Sequence, residues 1–320
     1  MRSVMTEDGA ELAVYTHEAR GAAATVLLCH GWTVTAQDWR PHIDALTRPR
    51  AGFPAVRAIA YDQRGHGRSG RGTAPLDMAL LGRDLSRVLT EAVPGDGPLI
   101  LIGHSMGGMA VQQLAAHRPA LLGTRVTGVG LFSTCLNEVT EGLTVPDTLP
   151  GTAALRRLAR ARRRVADGLL RSPRSARTVH RLLTGPLSHP NTAPLWRAVF
   201  GAGPHTDSVR EGARAFRDIP ATAIAEFYAA LTTHDCAGLL GALAGVPTRV
   251  LVGALDCVTP PAQARRLAAD IPGAALQTVP GQGHDLPYER PVLVVETVHA
   301  LLRESARTGS GNLALAGAVA

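Results

Sequence analysis

Ser105 stands in the run Gly103-His104-Ser105-Met106-Gly107-Gly108, where the apolar stretch Leu99 to Gly103 gives way to a helical pattern. A Gly-x-Ser-x-Gly at a strand-to-helix turn forces the central residue into a strained backbone, and the glycines remove side chains that would collide there. The hydroxyl is then exposed at the strand's end, beside the N-terminal amides and positive dipole end of the next helix. This predicts a nucleophile elbow with Ser105 as nucleophile and the amide of Met106 aimed at an oxyanion. A second donor is expected from the loop after an earlier strand. In His30-Gly31-Trp32, Gly31 permits a tight turn that points the Trp32 N–H at the same spot, while the indole lines an acyl pocket. His30, before the turn, reads as a structural hydrogen-bonding residue.

A serine hydroxyl at its ordinary pKa is a poor nucleophile, so a base and an orienting acid are required downstream. Asp256 follows the apolar run Thr248 to Gly253, and His284 sits in the turn Gly281-Gln282-Gly283-His284-Asp285 after Ala274 to Val279. Both fall just past strand ends, on the edge of a parallel sheet where Ser105 also lies. In this assignment His284 takes the Ser105 proton and returns it to the leaving group, while Asp256 holds the imidazole tautomer. His66, His104, His234 and His299 are the rival bases. Glu138, after the strand ending at Phe132, is the rival acid; Asp285, adjacent to the base, is expected to point elsewhere.

Positioning these groups requires alternating elements. Strands are predicted at Leu12–Thr16, Ala24–Cys29, Ala55–Tyr61, Pro98–Gly103, Val126–Phe132, Thr248–Gly253 and Ala274–Val279. The inner ones are unbroken apolar runs, the pattern of parallel strands covered on both faces. Helices are predicted at Gln37–Leu46, Pro75–Val93, Met106–Ala116, Pro260–Asp270 and Pro291–Ser305, so the fold class is α/β with right-handed crossovers. The alternation stops after Phe132 and resumes near Pro247. So long a stretch is not one loop in a compact protein, and it reads as an inserted helical cap. The expected organisation is a core of 1–136 and 245–308, a cap over 137–244 and a flexible tail at 309–320. Within the cap, Trp196, Phe227 and Tyr228 join Trp32 as expected substrate-binding residues, over a small to medium hydrophobic acyl group. The pair His234-Asp235 is a further polar contact above Ser105 or a surface pair.

Composition narrows the function classes. The chain has 320 residues, 45% of them apolar and 18% charged, a profile that excludes global disorder and a membrane bundle. No stretch approaches a membrane span, and Glu7, Asp8 and Glu11 interrupt the start before a signal-peptide core forms, so the expected location is the cytoplasm. Cys29, Cys135, Cys236 and Cys257 lack metal-site or redox spacing, so no metal and no organic cofactor is expected. The net charge of +7 arises from 33 basic residues against 26 acidic, and all the basic ones are Arg. The excess is concentrated between Gly151 and Thr206, where helical spacing sets Arg156, Arg160, Arg163 and Arg164 near one face. This face reads as solvated surface, with docking of an acidic carrier protein or a phosphate-bearing handle such as coenzyme A as the alternative. Without interleaved aromatics or a nucleic-acid motif, no nucleic-acid partner is expected.

The segments His30-Gly31-Trp32, Tyr61-Asp62-Gln63-Arg64-Gly65-His66-Gly67-Arg68-Ser69, GHSMGG, LVGALDCVTP and GQGHDLPYERP together resemble the α/β-hydrolase superfamily. The likeness is to its capped esterase, haloperoxidase-like and epoxide-hydrolase-like branch, over about 10 to 136 and 245 to 305. It implies an α/β-hydrolase fold, a mostly parallel sheet flanked by helices with an inserted cap, and a mainly structural role for Asp62, Arg64 and Ser69. Epoxide hydrolases and dehalogenases of that branch attack through an elbow Asp, and this chain has Ser105, which fits ester chemistry better. The expected activity is hydrolysis of a carboxylic ester, lactone or thioester through an acyl-enzyme. The alternatives are an acyltransferase or lyase with the same triad, and a ligand-binding receptor on the same scaffold.

Overall fold

The computed structural model describes residues 1–137 and 221–307, apart from 23, 50–53 and 96, together with 168, 174, 175 and 178. Trp196, Glu138, Arg156, Arg160, Arg163 and Arg164, expected in a cap, and residues 309–320, expected as a tail, lie outside the described residues. Eight strands form one sheet: β1 (Arg2–Met5), β2 (Glu11–His17), β3 (Thr25–Cys29), β4 (Arg57–Tyr61), β5 (Leu99–His104), β6 (Val126–Phe132), β7 (Thr248–Gly253) and β8 (Ala275–Val279). Their spatial order is β1-β2-β4-β3-β5-β6-β7-β8. The pairs β1–β2 and β2–β4 are antiparallel, and every other pair is parallel.

Seven strands lie where the apolar runs predict them. β1 is the addition: of its four residues only Val4 is buried, so it carries no apolar run to read. In β3 and β5 every residue is buried, because side chains alternate between two covered faces. Leu27 and Leu101 pack on one face with Leu85 and Val88 of α2 (Met78–Ala92) and Met109 and Leu114 of α3 (Met106–His117). Val26, Leu28, Ile100 and Ile102 pack on the other with Ile43 of α1 (Arg40–Leu46) and Val294, Val298 and Leu301 of α7 (Pro291–Arg307). α2 starts three residues later than the apolar pattern suggests, since the Asp77 carboxylate accepts from the Leu80 amide at 2.6 Å and caps the helix there.

Between β6 and β7 the described chain contains α4 (Ala221–Thr232); α5 (Pro261–Asp270) follows β7, and the short α6 (Leu286–Glu289) follows β8. β8 is one of the sheet's two edge strands, paired with β7 alone and exposed along Ala275–Thr278. No helix among the described residues is long and apolar enough to cross a membrane. The parallel strands β3, β5, β7 and β8 end on one rim, and the loops leaving them hold His30–Trp32, Ser105, Asp256 and His284.

Candidate active site

Ser105 links β5 to α3 with φ +52° and ψ −119°, a conformation that side-chain-bearing residues rarely adopt. Its backbone is held on both sides: its N–H donates to the Phe132 carbonyl at 2.9 Å, and its carbonyl accepts from the Thr134 hydroxyl at 2.8 Å. The turn closes only because Gly107 has no side chain. A Cβ there would collide with the Cys29 carbonyl and come within 2.6 Å of the His30 carbonyl oxygen, so β3 and α3 meet backbone to backbone. Gly31 presses on the elbow in the same way, its absent Cβ lying 3.3 Å from the Ser105 Cβ.

The distant residues converge. His284 Nε2 is 3.1 Å from Ser105 Oγ, and its Nδ1 is 3.0 and 3.1 Å from the two Asp256 carboxylate oxygens. Asp256 is fixed in turn by donors from its own turn: the amides of Val258 (2.9 Å) and Thr259 (2.8 Å) on Oδ1, and the Thr259 hydroxyl (2.9 Å) on Oδ2. An acceptor so engaged leaves His284 one choice of tautomer, with the proton on Nδ1 and the Nε2 lone pair facing Ser105. Burial opposes ionisation of Asp256, yet the charge and hydrogen bond of His284, with the two backbone donors, hold its carboxyl below the usual carboxylate value. Burial likewise depresses His284, but the adjacent Asp256 carboxylate outweighs it and raises the imidazole above its ordinary value.

The loop after β3 is built by the segment Asp62–Ser69. The Asp62 carboxylate accepts from the Ala36 amide at 2.8 Å, the Arg68 amide at 2.9 Å and the Tyr15 hydroxyl at 2.9 Å. His66 Nε2 accepts from the Thr33 amide at 3.3 Å, where Thr33 has φ +69°. His30 donates from Nδ1 to the Gly31 carbonyl at 2.7 Å and accepts at Nε2 from the Gln63 amide at 2.9 Å, so both ring nitrogens are spent on the scaffold. With the loop so held, neither the Trp32 nor the Met106 amide hydrogen-bonds to another described residue.

Beneath this loop Arg64 is fully buried between two carboxylates. Its Nε and Nη2 each donate to Asp84 at 2.6 Å, and Nη1 and Nη2 donate to Asp8 at 2.9 and 3.2 Å. This clasp joins the β1–β2 turn to α2.

Of the remaining expected residues, Tyr228 on α4 lies beside Trp32 with ring centroids 6.4 Å apart, and Phe227 is fully buried, edge-on to His66 at 4.7 Å. His234 is buried against Gln113 at 3.4 Å, two turns along α3 from Ser105, and so does not stand above the serine. His299 lies within α7, and His66 is occupied in the β3 loop. Asp285 points its carboxylate toward His104, 3.8 Å from Nε2. Thr259 is the residue that the sequence reading passed over. Its only signal is its place three residues after the acid and before Pro260.

A family model described as the alpha/beta hydrolase family matches residues 26–297. The chain belongs to the alpha/beta hydrolase family. This alpha/beta hydrolase is 33% identical over 150 residues to a non-heme chloroperoxidase of Streptomyces lividans, covering 47% of this chain and 50% of that one. It spans half or less of the length of the curated relatives it matches. Solved structures with the same fold include an esterase from Exiguobacterium antarcticum, with a TM-score of 0.69 and 18% identity over 94% of this chain and 99% of that one. A bromoperoxidase from Bacillus anthracis has a TM-score of 0.68 and 18% identity over 95% and 99% of the two chains.

Proposed function

We propose that this alpha/beta hydrolase is a serine hydrolase that cleaves a carboxylic ester, lactone or thioester of a small to medium hydrophobic substrate. The single observation that carries the reading is the continuous relay Asp256–His284–Ser105, with links of 3.0 and 3.1 Å, ending on a serine in a strained elbow. Ser105 Oγ attacks the substrate carbonyl carbon while His284 Nε2 takes its proton. The oxyanion is held by the amides of Trp32 and Met106, worth roughly 10²- to 10³-fold in turnover for each donor. His284 then protonates the leaving alcohol or thiol, activates a water against the acyl-enzyme and returns the proton to Ser105 as the acid departs. Asp256 keeps its charge throughout and stabilises the imidazolium.

Trp32, whose amide is assigned to the oxyanion, lies beside Tyr228 of α4, and this aromatic pair favours an apolar acyl or ring group over a sugar or peptide. The test is labelling by a fluorophosphonate probe, with a panel of p-nitrophenyl esters of graded chain length, lactones and thioesters. The native protein is expected to label and turn over, and Ser105→Ala and His284→Ala to do neither. Labelling that survives Ser105→Ala refutes the nucleophile. Hydrolysis in ¹⁸O-water places label in the released acid; an unlabelled product assigns the same relay to acyl transfer or elimination instead.

A further inference from the structure

His104 ends β5 immediately before Ser105, is buried, and takes no part in the relay. Its Nε2 lies 3.1 Å from the main-chain carbonyl oxygen of His284, and the two imidazole centroids are 5.3 Å apart. On its other edge, a Cβ placed on Gly31 would be 3.0 Å from Nδ1, so the ring is wedged between the β3 loop and the loop that carries the base. A carbonyl only accepts, which puts the His104 proton on Nε2. The titratable groups facing this ring are His284 and Asp285 from the loop before α6, Asp256 from the loop after β7 and His30 from the loop after β3. Burial and the neighbouring His284 push His104 down to about 3, so it stays neutral and keeps the donor.

The three members of the relay come from three strand ends, and the base follows β8, which has a single neighbour. We propose that His104 is a positioning residue: by donating from Nε2 to the His284 carbonyl, it ties the nucleophile's own strand to the loop of the base and sets the reach of His284 Nε2 to Ser105 Oγ. The inference rests on the serine-hydrolase reading above. A shift of about 1 Å in a reacting group costs roughly 10²-fold in rate, so a tie of this kind is worth a large factor without touching substrate.

The experiment measures the rate constant for fluorophosphonate labelling of the native protein, His104→Leu and His104→Gln. Leu fills the space without a donor, and the Gln amide places an N–H near the Nε2 position. Labelling of the Leu variant is expected to slow by about 10²-fold, and that of the Gln variant to recover most of the loss, with both showing native circular dichroism. A Leu variant as fast as the native protein, or a Gln variant as slow as Leu, overturns the tie. Should the Leu variant not fold, ¹⁵N-histidine spectra of the native protein decide: a His104 that carries its proton on Nε2 throughout pH 5 to 9 supports the role, and a neutral ring with its proton on Nδ1 refutes it. A native protein that never labels removes the hydrolase reading and the positioning role together. A labelled native protein matched by the Leu variant removes the positioning role alone.

Discussion

Replacing Asp256 by Asn changes one atom and is expected to invert the tautomer of His284. Oδ1 receives two backbone N–H donors, from Val258 and Thr259 at 2.9 and 2.8 Å, so the amide oxygen must take that place. The flipped amide would set an NH₂ against both donors and leave them unsatisfied, at about 1–3 kcal/mol each. The NH₂ therefore stands where Oδ2 was, 3.0 Å from His284 Nδ1, where it repels an Nδ1–H that could otherwise stay on Oδ1 at 3.1 Å and so favours that nitrogen as an acceptor. The imidazole proton moves to Nε2 and points at Ser105 Oγ, 3.1 Å away, where a lone pair is needed. A serine triad with the wrong tautomer loses about 10⁴ in kcat, or about 5 kcal/mol of transition-state stabilisation. The assay is kcat on an activated p-nitrophenyl ester, beside a thermal melt to show that the isosteric variant is folded. A folded Asp256→Asn enzyme within tenfold of native refutes the assignment. Glu138→Gln is expected to leave kcat at the native level, and a loss of about 10⁴ there instead would transfer the acid's role to Glu138.

Four further outcomes are expected. The base works only when neutral and His284 is held above the ordinary imidazole value of about 6.5, so kcat/KM rises with pH through a midpoint above that value. Burial holds Asp285 up to about 7, where it ionises and favours the protonated imidazole; Asp285→Asn therefore moves the midpoint down, and a pH profile that moves up contradicts the electrostatics. Gly107→Ala forces a methyl into the carbonyls of Cys29 and His30 and is expected to cost about 3 kcal/mol in chemical denaturation, whereas Gly241→Ala, with no atom within 4 Å of the added carbon, serves as the near-neutral control. Asp84→Asn strands the buried Arg64 guanidinium with half its counter-charge and is expected to cost about 3–5 kcal/mol in the same assay; a change under 1 kcal/mol would show that the clasp is not holding α2.

The parallel strands and the elbow are legible in the sequence because their determinants are local. A strand covered on both faces must be an apolar run, and a serine between glycines at its end has few structural reasons to be there. What depends on contacts across the chain is not legible. β1 has one buried residue and exists as a strand because it pairs with β2. The choice between Asp256 and a rival acid turns on which loop the base faces, and that is set by the parallel register of β7 and β8, with Gly253 opposite Val279. His104 looks like another member of the elbow motif until its ring is found against a carbonyl 180 residues away. Asp62 and His66 read as a fold signature, and their work is to shape the β3 loop through the amides of Ala36 and Thr33.

The serine is mounted on β5, braced between β3 and β6, while the imidazole follows β8, an edge strand paired with β7 alone and exposed along Ala275–Thr278 among the described residues. The two halves of the machinery thus stand on supports of unequal stiffness. Heat or denaturant loosens rims before interiors, so misalignment of the imidazole comes first, and a preparation can fall silent while its spectrum still reports a folded chain. Reinforcing the outer border, for instance by a cross-link from β8 to β7, is accordingly the place to seek durability of function, ahead of any further filling of a core that is already closed.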